Sequence, residues 1–101
     1  MDAHYLKDRV CDELCSAKEY AKYAIELRAM SPDWSKAFHT MSSQELEHAS
    51  TFVRLFEDYY KRISDTYGMG KVPDYLVELN TEVHDMYSKK ATMIKYLHSM
   101  L

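Results

Sequence analysis

Glycine and proline are scarce in this chain, with two of each among 101 residues. A sheet of many strands needs more turn residues than that, so long uninterrupted helices are expected instead. No apolar run approaches the ~20 residues that span a bilayer, which excludes a membrane partner at this stage. The first eight residues, Met-Asp-Ala-His-Tyr-Leu-Lys-Asp, have no apolar centre of the kind a signal peptide carries. A cytoplasmic protein in a reducing compartment is therefore expected. A basic excess is also missing. Lys and Arg number 13 against 16 Asp and Glu, so no cationic stripe is on offer and no nucleic-acid partner is expected. Two cysteines occur, Cys11 and Cys15. They stand one helical turn apart, where a disulfide would be strained. They read as small, half-buried thiols, because no further Cys or His tract accompanies them to make a thiolate metal site. Repeats, low-complexity segments and linkers are absent too, leaving a single domain over residues 1–101.

What the chain does have is helical periodicity. The spacing predicts a first helix over residues 3–30, with an apolar stripe of Leu6, Val10, Glu13, Ala17, Tyr20, Ala24 and Leu27. Ala17, Ala21 and Ala24 are small enough to let a second helix approach closely. Ser31-Pro32-Asp33 is the first break, with Ser31 expected as an N-cap and Pro32 in the first turn. So short a connection folds helix two back antiparallel. Helix two runs from 32 to 66, roughly 50 Å at 1.5 Å per residue. Tyr67 to Pro73, with two glycines and a proline, is the second break. Helix three follows over 74–100, with Leu76, Leu79, Val83, Met86, Ile94, Leu97 and Leu101 on one stripe interrupted by Lys90. The fold class is all-α: a long helical hairpin plus a third helix. The seven methionines read as gap-filling core residues.

The chemistry gathers in Ser43-Gln44-Glu45-Leu46-Glu47-His48. Glu45 and His48 are three apart, so on a helix they share a face and can grip one metal ion. Their stripe reads Met41, Glu45, His48, Phe52, Leu55, Tyr59, which places two ligand types where a core would take apolar side chains. Glu13 is the one acid on the stripe of helix one. With the hairpin turning near residue 31, Glu13 comes level with residue 49, beside His48. Glu19 is also level but lies on the polar face. Glu82 and His84 of helix three fall about ten residues from the pair, roughly 15 Å away, and read as surface residues. Glu13, Glu45 and His48 are thus the candidate metal ligands and catalytic residues.

The segment Asp12-Glu13-Leu14-x-x-Ala17-x-x-Tyr20, followed by Glu45-Leu46-Glu47-His48, resembles the first half of a ferritin-like di-iron protein. Rubrerythrins, bacterioferritins and the half-length encapsulated ferritins share that pattern, and the resemblance covers Leu6 to Tyr59. Full-length members carry Glu, Glu-x-x-His, Glu and Glu-x-x-His on four helices. This chain holds half the set, and it resembles the encapsulated ferritins most, since they build the site from two hairpins. The resemblance implies a homodimer or a ring of dimers, a ferritin-like four-helix bundle completed by dimerisation, and a di-iron site at the interface. It implies that Glu45 bridges the two ions while Glu13 and His48 are terminal ligands, and that Fe(II) is oxidised by oxygen or peroxide. Mn(II) or Zn(II) suits the same donors. An encapsulin shell is a possible partner, although Lys95 to Leu101 is not a Gly-rich targeting peptide. Tyr20, Tyr23 and Tyr59 could be redox-active phenols, with core packing the plainer reading. The alternative to a metal protein is a metal-free helical interaction or assembly module, in which Glu13 and His48 form a structural ion pair. Burying carboxylates without a cation costs several kcal/mol per ion, which weighs against it.

Overall fold

The computed structural model describes residues 1–101, the side chain of Met69 set aside. Three helices make up the chain: α1 (Ala3–Leu27), α2 (Pro32–Tyr67) and α3 (Asp74–Ser99), with one 3₁₀ turn at Met69–Lys71. No strand occurs among the described residues. The molecule measures 56 × 20 × 15 Å, a rod whose long dimension is set by α2. No helix is long and apolar enough to cross a membrane.

Local chemistry explains the boundaries. Asp2 caps α1 by accepting from the Tyr5 amide at 2.9 Å. α1 then stops at Leu27 rather than at residue 30, because the chain must turn before Pro32. The Ser31 amide donates back to the Leu27 carbonyl at 2.8 Å. Ser31 makes no side-chain cap. Its carbonyl accepts from the Ser35 amide at 2.9 Å, and the connection is tied instead by the Ser35 hydroxyl, which donates to the Ala24 carbonyl at 2.5 Å. At the other end of α2, Gly68 adopts φ 83° and sends its amide to the Ser64 carbonyl at 2.8 Å. This left-handed step is one a glycine takes without a Cβ penalty.

α1 and α2 form an antiparallel hairpin, and α3 lies along one groove of it, mostly against α1. Leu6, Val10, Leu14 and Ala17 of α1 meet Ala49, Val53 and Phe56 of α2 and Leu76, Leu79, Val83 and Ile94 of α3. On α3, Lys90 is half-buried and Leu101 is exposed, while Ala91 joins the buried set. Cys11 is half-buried and Cys15 is exposed, and both thiols are free.

The buried line of α2 differs from the expected one. Ser35, Ser42, Ala49, Val53 and Phe56 are buried, whereas Met41 and Leu55 are 37% and 44% exposed. The stripe of Met41, Glu45, His48, Phe52, Leu55 and Tyr59 is therefore not the core of the single chain. α3 covers the hairpin on one side only. It turns the core line of α2 by one residue towards itself and leaves the ligand stripe along the uncovered side.

Candidate metal centre

Backbone register decides which side chains can meet. Ser42 donates to the Ala17 carbonyl and Ser35 to the Ala24 carbonyl. These crossings place Glu13 level with Leu46, between Glu45 and His48, closer to the pair than the sequence register puts it.

The three side chains come together accordingly. One ligand atom from each of Glu13, Glu45 and His48 lies within 4.8 Å of the others. His48 Nδ1 is 3.7 Å from Glu13 Oε2 and 3.7 Å from Glu45 Oε1. That is too long for a hydrogen bond. It is near the spacing of two donors on one ion, since ligands about 2.1 Å from a metal stand roughly 3 to 3.5 Å apart. Among the described residues no other group of three His, Cys, Asp or Glu ligands clusters in this way.

Burial is graded across the cluster. Glu13 is buried, with its side chain 9% exposed, Glu45 is half-buried, and the His48 side chain is 58% exposed. The site thus opens from the hairpin interior onto its uncovered face. Burial pushes the Glu13 carboxyl up, but a hydrogen bond to Glu45 and the Arg9 guanidinium more than offset this, leaving it below the ordinary glutamate value. Glu45 is raised by the same hydrogen bond, by burial and by the Glu13 charge. Of the two carboxyls, Glu13 is thus the readier to ionise and Glu45 the readier to keep a proton.

Arg9 is the site neighbour that periodicity does not single out. It pairs with Glu13 one turn along α1, and its guanidinium lies over the Phe52 ring, 5.5 Å from the centroid. A base four residues before a buried acid is the one sequence signal it leaves. The tyrosines divide by position. Tyr20 and Tyr23 pack against Phe38 with ring centroids 5.9 and 5.5 Å apart. The Tyr23 hydroxyl donates to exposed Glu19, and Tyr59 packs against the core. Glu82 pairs with Lys7 at 3.1 Å, and His84 lies 3.6 Å from Glu57. Both are exposed, as expected of residues outside the site.

The donor set fits a hard or borderline divalent cation. It offers two carboxylates and one imidazole, with no thiolate to favour a soft metal. The desolvation of the buried Glu13 carboxylate is compensated by the Arg9 guanidinium.

The model of the rubrerythrin family matches residues 5–97. The match takes in all of α3's buried positions as well as the hairpin that carries the ligands. No curated protein and no solved structure gives a match. The chain belongs to the rubrerythrin family, a ferritin-like di-iron family.

Proposed function

We propose that this rubrerythrin-family chain binds iron through Glu13, Glu45 and His48, and that two chains pair to complete a dinuclear centre that oxidises Fe(II). The observation that carries the reading is the convergence of these three donors on the uncovered side of the hairpin. One chain supplies two carboxylates and one imidazole, half of the ligand set of a dinuclear carboxylate site. A second copy supplies the other half. The half-exposed stripe of Met41, Phe52, Leu55 and Tyr59 gives the two hairpins an apolar seam on either side of the ligands.

Within such a pair the bound metal supplies the redox chemistry, with oxygen or peroxide as the electron acceptor. The chain's residues do the rest. Glu45, the more proton-retentive of the two carboxyls, would have to be ionised to hold a metal and is the candidate bridging carboxylate. Glu13 stays ionised through its Arg9 pair and is the candidate terminal ligand, opposite the His48 imidazole.

Anaerobic titration with Fe(II) tests the proposal. Glu45→Ala should abolish binding, and Glu82→Ala should leave it intact. Equal loss in both variants would overturn the assignment. The metal-free helical module finds its support in Arg9, which already neutralises Glu13. Full retention of structure and no metal uptake by the unaltered protein would favour it.

A further inference from the structure

The two oxygens of Glu13 face different neighbours. Oε2 looks towards His48 Nδ1 at 3.7 Å. Oε1 accepts from Arg9, whose second amino nitrogen makes this bond while its first lies 3.4 Å from Asp12 Oδ2. The guanidinium is held from a third side by the Phe52 ring of α2. Arginine suits this place because its planar head can stack on a ring and donate in its own plane, which a lysine ammonium cannot do. Arg9 thus ties Glu13 of α1 to a ring on α2.

We propose that Arg9 is a positioning residue that occupies Oε1 of Glu13 and so presents the carboxylate to a metal ion through Oε2 alone. The inference rests on the metal reading above and adds to it how Glu13 binds. A carboxylate with both oxygens free can chelate one ion or bridge two. With one oxygen engaged by a guanidinium, it offers a single ligand atom. Affinity is a poor measure of this role, because removing Arg9 also removes a positive charge that repels the cation. Coordination number is the direct measure.

Co(II) is the probe, since its visible d–d absorption weakens as its coordination number rises. The unaltered protein saturated with Co(II) should show the stronger absorption of a low-coordinate ion. Arg9→Ala, at equal saturation, should lose intensity as Glu13 takes up two-oxygen binding. Arg9→Gln keeps an N–H donor within reach of Oε1 and should recover the original spectrum in part. Phe52→Leu removes the ring that anchors the guanidinium without touching a ligand, and should lose intensity in the same direction. That second variant serves if Arg9→Ala does not fold. Unchanged spectra in Arg9→Ala and Phe52→Leu at full Co(II) occupancy would overturn the role of Arg9 while leaving the metal site standing. Failure of the unaltered, folded protein to take up Co(II) at all would instead overturn the metal reading and this inference with it.

Discussion

At the scale of the residue, a buried serine and a half-buried histidine carry more than their size suggests. Ser42 is fully buried, and its one hydroxyl proton goes to the Ala17 carbonyl at 2.5 Å. Its oxygen is therefore the acceptor for His98 Nε2, 2.7 Å away. One serine thus joins all three helices. Ser42→Ala should cost about 1–3 kcal/mol, because it removes a hydrogen bond to each of the other two helices. Urea denaturation measures this. His98 is pushed below its ordinary value of 6.5 by burial and then by His39, whose ring centroid is 4.7 Å away. The unfolded chain then binds the proton more readily than the folded one. The contribution of His98 is present above the unfolded value and is lost as pH falls from there towards the lower folded value. The melting-temperature gap between the unaltered protein and His98→Gln should shrink as pH falls through 6.5. A gap that stays constant would mean that His98 does not titrate in that window. None of this was legible in the sequence, where Ser42 and His98 are ordinary polar residues 56 positions apart. The convergence of Glu13, Glu45 and His48 was legible, because an acid on the stripe of α1 comes level with an acid and an imidazole one turn apart on α2. Arg9 was not, since its meaning depends on which ring of α2 lies across from it.

At the scale of the element, scarcity of turn residues proved the strongest signal. With so few breakers, the two places where Pro or Gly occur mark the ends of α2, and the observed bounds of Pro32–Tyr67 follow from that. The end of α1 was harder to see, since Arg28, Ala29 and Met30 all favour helix and the stop at Leu27 comes from the hairpin connection. The core phase of α2 was also out of reach. Either of two adjacent stripes could face inward, and the packing of α3 on one groove selects between them. Gly68 offers a test at this scale. A Cβ added there meets nothing within 4 Å, so the cost of Gly68→Ala is the strain of φ 83° alone. With ψ at 153° as well, a region that is almost glycine-only, about 1–3 kcal/mol of destabilisation is expected. Chemical denaturation showing no loss would mean that the turn relaxes to a right-handed conformation without penalty.

At the scale of the whole molecule, the rod exposes one long side of its hairpin, and that side holds the candidate ligands together with half-buried Phe52 and Tyr59 and exposed Met41 and Leu55. Pairing of two chains through this side is part of the proposed function and couples metal to stability. A metal that binds the folded chain and not the unfolded one adds about 2.7 kcal/mol at a hundredfold excess over its dissociation constant. Glu45 must give up its proton to bind, and its folded-state value is raised, so the metal-dependent gain should shrink as pH falls through the range above 4.5, the group's ordinary value. Zn(II), which undergoes no redox change, should raise the melting temperature near pH 7 and should do so little in Glu45→Ala. A rise of equal size in both would place the bound metal elsewhere.

Native mass spectrometry of the metal-loaded protein tests the central claim most directly, because one spectrum reports both chain count and metal count. The expected result is an assembly with an even number of chains carrying two ions per pair, and Glu45→Ala carrying none. A folded single chain that binds no ion, or that holds two ions without a partner, would contradict a shared centre built from Glu13, Glu45 and His48.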